Sequence, residues 1–248
     1  MILPDPKYAI HKAWLYRVLT EISDNQILVN SLRFKGGTCA AMQGYLDRFS
    51  IDLDFDFVGS KKSLPETRKA LEKIFIELGM EIKDSSKEVP QYFLRYPTKD
   101  EKQRNTLKVD ITMPPPKSNN YETVRLCDID RVIKCQTIET MFANKLVALI
   151  ERFEKGNAIA GRDLYDIHHF FINGFQYRGE VIIERRKSKE LAKFFDQLIQ
   201  FVDKEITEKV INQDINMLLP SKSFHRIRKV LKQETLMFLR DELKRLES

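Results

Sequence analysis

An alternation of acidic and apolar residues is the part of the sequence with the clearest chemical meaning. Residues 48–57 read Arg-Phe-Ser-Ile-Asp-Leu-Asp-Phe-Asp-Phe. In a strand, this pattern places Asp52, Asp54 and Asp56 on one face. Ionised carboxylates this close together repel one another unless they share a cation, and Mg²⁺ is commonly held by one or two carboxylates together with substrate phosphates. The pattern therefore predicts a metal site, in which Asp52 and Asp54 rank above Asp56.

A pair of glycines precedes the acidic segment, and the residues after the pair suit a short helix. Gly36 and Gly37 allow the backbone to approach an anion closely, and the free N–H groups at the start of a helix favour negative charge. Thr38 adds a hydroxyl group beside them. These residues predict a phosphate-binding turn.

A second alternating run, over 107–113, offers a further carboxylate. It places Lys108, Asp110 and Thr112 on one side of a strand and apolar residues on the other. We expect Asp110 to join the aspartates of the first run. The simpler alternative is that both runs are solvated faces of a half-buried sheet and that the glycine pair is an ordinary turn.

The C-terminal half carries charged pairs on two successive helices. Lys145 and Arg152 lie two turns apart on one flank of the first helix, so both cations can face one ligand. On the next helix, Asp163 and Asp166 are three residues apart and share a surface. The alternative is a helical hairpin held together by salt bridges.

The periodicity of the apolar residues predicts the elements that position these groups. It indicates a helix over 8–22 and a second helix from a capping box at Ser63 to a stop at Gly79. The predicted strands are 26–34, 48–57 and a hairpin of 92–96 with 107–113, closed by a charged connection and ended by prolines 114–116.

After residue 137 the pattern is helical to the C-terminus, where 223–247 predicts one amphipathic helix. We therefore expect an α/β (α+β) fold, with a mixed sheet flanked by helices over 1–135 and a helical bundle over 136–248.

The composition argues against a disordered chain, a secreted protein and a membrane protein. The 248 residues are 42% hydrophobic, which is enough for a core, and no run of residues has the pattern of a signal peptide or membrane anchor. Cys39, Cys127 and Cys135 have no metal-type spacing, which predicts buried thiols in a reducing cytoplasm. The net charge of +6 favours a polyanionic partner, although only weakly.

In this order, the motifs resemble those of the AbiEii/AbiGii toxin nucleotidyltransferases, within the polymerase-beta-like superfamily. The resemblance spans 35–167, with Ile167 in place of the usual Leu and Cys39 where the family favours Ala. The matching blocks are Lys-Gly-Gly-Thr at 35–38, Arg-x-Ser-x-Asp-x-Asp at 48–54, Lys-x-Asp at 108–110, Lys-x-x-Ala-x-x-x-Arg at 145–152 and Arg-Asp-x-x-Asp at 162–166.

The resemblance implies a nucleotidyltransferase-type domain over 1–135 and a helical domain over 136–248 that contributes to the active-site cleft. It implies transfer of a nucleoside monophosphate from a nucleoside triphosphate to an acceptor, in the first place the 3′ end of tRNA. The expected cofactor is Mg²⁺, with Mn²⁺ as an alternative. The expected setting is the toxin of a cytoplasmic type IV toxin-antitoxin or abortive-infection (phage defence) system, with a cognate antitoxin encoded nearby.

The resemblance also implies roles for individual residues. The expected catalytic residues, of which the first three would also hold the metal, are Asp52, Asp54, Asp110, Lys145, Asp163 and Asp166. The expected nucleotide-binding residues are Lys35, Gly36, Gly37, Thr38, Ser50, Lys145 and Arg152. Lys145 would bind the triphosphate, whereas Asp163 or Asp166 would either position Lys145 or act as a base.

Two other classes stay open at this level. A metal-dependent ribonuclease could use the same aspartates, but it would not need the glycine turn or Lys145. A non-catalytic nucleotide- or RNA-binding module would need no set of aspartates. The acceptor is also open, between tRNA, another RNA, a protein side chain and a small molecule.

Overall fold

The structure is a computed structural model that describes residues 1–86, 88–98 and 104–248. The described chain divides into two compact units, one of Met1–Pro115 with Asn120–Thr137 and the other of Pro116–Asn119 with Ile138–Ser248. The described strands all lie in the first unit, and the second is helical. The predicted α/β fold class is confirmed, while the domain limits 1–135 and 136–248 stay a prediction.

The first unit contains a mixed sheet and its flanking helices. The helices are α1 (Ala9–Asp24), α2 (Gln26–Ser31), α3 (Gly36–Met42) and α4 (Leu64–Glu77). The strands are β1 (Leu32–Lys35), β2 (Asp52–Phe57), β3 (Glu81–Ser85), β4 (Gln91–Arg95), β5 (Thr106–Thr112), β6 (Tyr121–Leu126) and β7 (Arg131–Gln136).

The strand order of the sheet is β3-β4-β5-β2-β1-β7-β6. β2 pairs with β5 and β1 with β7 in parallel, and the other neighbours are antiparallel. Alternate residues of the central strands, among them Phe34, Leu53 and Val109, are buried in the core, and α1 packs against β2, β5 and β7. The intervening residues, which include the aspartates, therefore share the opposite face of the sheet.

The first predicted helix is confirmed as α1, but apolar periodicity alone would bury Ile10 rather than His11. Ile10 is 46% exposed, whereas His11 is 1% exposed. The ring of His11 hydrogen-bonds to the Tyr96 hydroxyl and to the Ile51 carbonyl oxygen, each at 2.9 Å. A polar side chain thus occupies a core position because both of its nitrogens have partners.

The strand predicted over 26–34 is wrong for most of its length. Residues 26–31 form α2, and only the last residues of the segment belong to β1. The side chain of Asn25 accepts hydrogen bonds from the N–H groups of Ile27 and Leu28, at 3.1 and 3.2 Å. This cap begins a helix where the short apolar run suggested a strand.

The start of the acidic strand also differs from the prediction, since β2 begins at Asp52 and not at Arg48. The helix predicted from Ser63 is confirmed as α4, but its capping box is not, because the Ser63 side chain makes no capping hydrogen bond. Instead, the Ser60 side chain accepts a hydrogen bond from the Ser63 N–H, and a 3₁₀ turn leads into the helix.

The predicted hairpin is confirmed, because β4 pairs with β5 in antiparallel orientation. Residues 99–103 of its charged connection lie outside the described part of the chain. The thiol prediction holds for Cys39 and Cys135, which are buried, and is wrong for Cys127, which is exposed. Cys127 follows the end of β6, at a turn where no element covers it.

The second unit is helical from residue 138 onward, as predicted. Its helices are α5 (Ile138–Gly156), α6 (Gly161–Ile172), α7 (Gly179–Arg186), α8 (Leu191–Glu205), α9 (Glu208–Ile215), α10 (Ser221–Ile227) and α11 (Leu231–Glu247). The single helix predicted over 223–247 is wrong, because the chain turns at 228–230. This turn contains neither Gly nor Pro, so the residue types gave no signal for it. Within the described residues, no helix is both long enough and apolar enough to span a membrane.

Candidate active site

The register of the sheet places Asp54 and Asp110 side by side. Asp54 on β2 is the direct partner of Asp110 on the parallel strand β5. Lys35 on β1 lies opposite Asp54 on its other side, and Gln91 on β4 lies opposite Asp110. Because directly paired residues of neighbouring strands point to the same face, these four side chains form one polar row across the sheet.

Asp52 lies two residues before Asp54 on the same face of β2, and its register partner on β5 is Lys108. The Lys108 ammonium group contacts Oδ2 of Asp110 at 2.5 Å, and the side-chain amide of Gln91 donates to Oδ1 of Asp110 at 3.2 Å. The carboxylate of Asp110 remains 35% exposed. The structure therefore brings Asp52, Asp54 and Asp110 to one face of two adjacent strands.

The glycine turn lies directly against this face. Gly36 has a φ of +80°, which disfavours any side chain. A Cβ atom added there would lie 2.3 Å from Oδ2 of Asp54. A Cβ atom added to Gly37 would lie 2.7 Å from Nη2 of Arg48 and 3.0 Å from the Ser50 hydroxyl oxygen. A side chain at Gly36 would therefore collide with Asp54, and a side chain at Gly37 would collide with the segment that leads into β2.

Thr38 connects the turn to β2. Its side chain is fully buried, and its hydroxyl donates a hydrogen bond to the carbonyl oxygen of Asp52. Arg48 is 2% exposed and donates from Nη1 to the carbonyl oxygen of Phe49 at 2.8 Å. Both polar side chains therefore brace the backbone at the beginning of β2, and Thr38 does so with the hydroxyl that was expected to lie beside the phosphate.

Asp56, the third aspartate of the alternation, is fully buried and hydrogen-bonds to side chains of β1, β6 and β7. Lys35 Nζ contacts its Oδ1 at 2.7 Å, and Oδ2 accepts from the Tyr121 hydroxyl at 2.9 Å and the Gln136 amide at 2.6 Å. Local periodicity gave no signal for the roles of Tyr121 and Gln136, because they lie 65 and 80 residues from Asp56 along the chain.

The donor set of this face suits a magnesium ion. Mg²⁺ binds carboxylate oxygens and usually takes only one or two of them when phosphates and water complete its coordination. Asp54 and Asp110, half-buried and adjacent in register, offer this number. In the described ranges, no group of three or more His, Cys, Asp or Glu side chains is close enough to form a metal site alone. The residues fit an ion that is shared with a phosphate-bearing ligand.

The second group of predicted site residues lies in the helical unit. Lys145 on α5 contacts Asp163 at 2.6 Å and Asp166 at 2.9 Å, and Nε of Arg152 contacts Asp163 at 3.0 Å. Both carboxylates, on α6, are fully buried. The two charged pairs thus form one cluster of ion pairs between the neighbouring helices α5 and α6.

The electrostatics of this cluster keep Asp163 ionised. Burial by itself would raise the pKa of Asp163, but the charges of Lys145 and Arg152 outweigh it and hold the pKa well below its usual range. A carboxylate with such a low pKa is a weak base. The sequence left two roles open for Asp163, positioning Lys145 or acting as a base. The contact with Lys145 and the low pKa favour the first role.

Comparisons with known proteins agree with the fold and the motifs. The family model described as nucleotidyl transferase AbiEii toxin, type IV TA system, matches residues 17–233. A comparison with curated protein sequences found no match.

Solved structures resemble the whole chain at low sequence identity. The crystal structure of JHP933 from Helicobacter pylori is 21% identical, with a TM-score of 0.59 over 99% of this chain and 95% of that chain. A putative nucleotidyltransferase from H. pylori is 20% identical, with a TM-score of 0.61 over 98% of this chain and 97% of that one. An antigenic nucleotidyltransferase-like protein from Paracoccidioides brasiliensis is 15% identical, with a TM-score of 0.51 over 88% and 98%.

These structures support the nucleotidyltransferase fold, and the family match covers most of the chain. The expectation of an enzyme is confirmed against the alternative of a non-catalytic module. The chain belongs to the AbiEii family of type IV toxin-antitoxin nucleotidyltransferases.

Proposed function

We propose that this enzyme transfers a nucleoside monophosphate from a nucleoside triphosphate to the 3′ end of an RNA, with tRNA as the first acceptor to test. The observation that carries the proposal is the direct pairing of Asp54 with Asp110, with the glycine turn at Gly36 packed against Asp54. A nucleotide bound at this turn would have its phosphates beside two carboxylates.

The carboxylates have the role of metal ligands in this proposal. Asp54 and Asp110 hold Mg²⁺, or Mn²⁺ in its place, and Asp52 lies one step along the same face. When bound, the ion neutralises charge on the phosphates and lowers the pKa of a coordinated hydroxyl group. Asp110 orients the attacking hydroxyl group of the acceptor relative to the α-phosphate.

The backbone of the turn supplies the phosphate contacts. The first N–H groups of a helix have no acceptor within the helix, and α3 begins at Gly36. The N–H groups of Gly36, Gly37 and Thr38 therefore donate to phosphate oxygens in this proposal. Ser50, whose hydroxyl oxygen lies close to Gly37, supplies a further hydrogen bond to the phosphates in this proposal.

The cations of this proposal are two residues of α5. Lys145 binds the triphosphate, and Arg152, whose side chain is 47% exposed, supports it. The buried carboxylates of Asp163 and Asp166 fix the Lys145 ammonium group, so that little reorganisation is needed as charge develops on the phosphoryl oxygens. Positioning of Lys145 is the proposed role of both aspartates.

We base the proposed biological setting on the family. Its type IV description implies an antitoxin partner, which we propose is encoded nearby, and the toxin acts on RNA in the cytoplasm during phage defence. The net charge of +6 favours a polyanionic acceptor over a neutral small molecule.

Label transfer tests this proposal directly. The protein is incubated with Mg²⁺, each labelled nucleoside triphosphate in turn and total cellular RNA, and labelled products are separated by size. We expect label on full-length tRNA, and a loss of roughly 10²-fold or more in Asp54→Asn, which keeps the shape beside Gly36.

The matched control is Asp84→Asn, an exposed aspartate on β3 of the same sheet, which should transfer label as the unmodified protein does. Undiminished transfer by Asp54→Asn would reject the carboxylate assignment. Shortened RNA without label would favour a ribonuclease.

A further inference from the structure

Lys35 contacts both strands that carry the predicted metal ligands. Its ammonium nitrogen lies 2.7 Å from Oδ1 of Asp56 on β2 and 2.6 Å from the hydroxyl oxygen of Thr112 on β5. Lys35 itself belongs to β1. One side chain therefore ties together a pair of strands to which it does not belong.

The register gives this bridge a specific place. Asp56 and Thr112 are direct partners, two residues beyond the pair Asp54 and Asp110 on the same face. Two residues along a strand correspond to about 6.6 Å. Because the hydrogen bonds of parallel strands are slanted and pair slightly less stably than antiparallel ones, a side-chain bridge here restrains the separation of the two carboxylates.

The bridge is anchored by residues of β6 and β7, which lie beyond β1 in the sheet. The Asp56 carboxylate is fully buried, and its Oδ2 accepts from Tyr121 on β6 and from Gln136 on β7. A carboxylate with both oxygens engaged in this way is held in one orientation. Asp56 thus differs from Asp54 and Asp110, which are half-buried.

We propose that Lys35 and Asp56 are positioning residues that fix the spacing of Asp54 and Asp110 and so determine the affinity of the site for its divalent ion. This inference rests on the proposed function, because it assumes that these two carboxylates bind the metal. It divides the three alternating aspartates by role, with Asp56 as an anchor rather than a ligand. It also assigns Lys35 a contact with the strands instead of the nucleotide.

The experiment measures binding of Mn²⁺ without nucleotide, by the electron paramagnetic resonance signal of the free ion, alongside unfolding in urea. The main variant is Lys35→Met/Asp56→Asn, which removes both charges and so leaves no unpaired ion in the interior. We expect it to stay folded and to bind Mn²⁺ roughly 10-fold more weakly, at the lower end of the losses seen when residues that support metal ligands are replaced.

The Thr112 arm of the bridge allows a conservative rescue. Thr112→Val removes the hydroxyl group and should weaken Mn²⁺ binding, whereas Thr112→Ser keeps the hydroxyl group and should bind as the unmodified protein does. Tyr92→Phe is the control for stability alone. The Tyr92 hydroxyl contacts Glu72 of α4, and the Tyr92 side chain lies on the opposite face of the sheet from Asp54 and Asp110. This control variant should lower stability and leave Mn²⁺ affinity unchanged.

Two results would overturn the inference, and they can be told apart. If the folded double variant binds Mn²⁺ normally while Asp54→Asn does not, the positioning role is wrong and the metal site stands. If Asp54→Asn also binds Mn²⁺ normally, the metal assignment of the proposed function fails, and the positioning role fails with it.

Discussion

Gly36 packs against the carboxylate of Asp54 so closely that a Cβ atom at this position would lie 2.3 Å from Oδ2. The turn and β2 are therefore in direct contact, although the two residues are 18 positions apart along the chain. This contact makes the turn sensitive to a single methyl group.

We predict that Gly36→Ala displaces Asp54 and lowers label transfer by about 10²-fold, as a 1 Å misplacement in an active site can do. It should also lower the free energy of unfolding by about 1–2 kcal/mol, because φ is positive. Gly44→Ala is the matched control, since Gly44 has a φ of +82° with open space around it. Equal activity of the two variants would contradict the contact.

Replacement of Lys145 should affect stability as well as activity. Its ammonium group is the partner of two fully buried carboxylates, so Lys145→Met leaves them without their nearest cation. We expect a loss of about 3–5 kcal/mol in the free energy of unfolding, which is typical for breaking a buried ion pair. Unfolding in urea measures it.

Arg152→Met provides the comparison, because Arg152 contacts Asp163 through Nε at 3.0 Å and its side chain is 47% exposed. Its effect on unfolding should be clearly smaller. A Lys145→Met protein that unfolds at the same urea concentration as the unmodified protein would show that the carboxylates do not depend on Lys145.

The stability of the protein should fall as the pH falls from about 6.5 to about 4. The pKa of His11 is lowered from 6.5 to about 4, mainly by burial and in smaller part by the charge of Arg104, while the hydrogen bond with the Ile51 carbonyl opposes this shift. Between these values the unfolded chain binds the proton and the folded chain does not. The contribution of His11 is therefore complete above pH 6.5 and lost progressively below it, by up to about 3 kcal/mol.

Urea unfolding at several pH values, with His11→Gln, measures this contribution. The variant should have a flatter dependence between pH 4 and 6.5, whereas His225→Gln, at an exposed position, should keep the slope. An unchanged slope in His11→Gln would exclude His11 as its source. The lowered pKa of Asp163 stabilises the folded protein throughout this pH range, and that contribution is lost only below the ordinary pKa of an aspartate.

The three thiols should differ in reactivity. Cys127 is exposed, whereas Cys39 and Cys135 are buried, and burial raises the pKa of the Cys39 thiol. A thiol reagent should therefore modify one cysteine rapidly in the folded protein and all three in urea. Cys127→Ser should abolish the rapid phase, and a rapid phase that persists would place another thiol at the surface.

Much of the fold was predictable from local patterns, and the errors have identifiable causes. The alternation around Asp54 and Asp110 predicted β2 and β5, because side-chain direction in a strand depends only on its own residues. The segment after Asn25 was assigned to a strand because six residues are too few for periodicity to separate a short capped helix from a strand.

The candidate site could be predicted only in its parts. The residue types of Gly36, Asp54 and Lys145 indicated a phosphate turn, a metal ligand and a cation from sequence alone. The network around Asp56 could not be predicted, because Tyr121 and Gln136 reach it across strands that are remote in the chain.

The sequence by itself thus determined which chemical groups are present, their order and the face of the element on which each one lies, since these are local properties of the chain. The sequence led us to expect that Asp110 joins the aspartates of the first run, but only the tertiary structure decided which residues are direct partners: Asp54 with Asp110, and Lys35 with Asp56 and Thr112. The physical reason is that strand order and register are set by packing of the whole sheet, and no single segment carries that information.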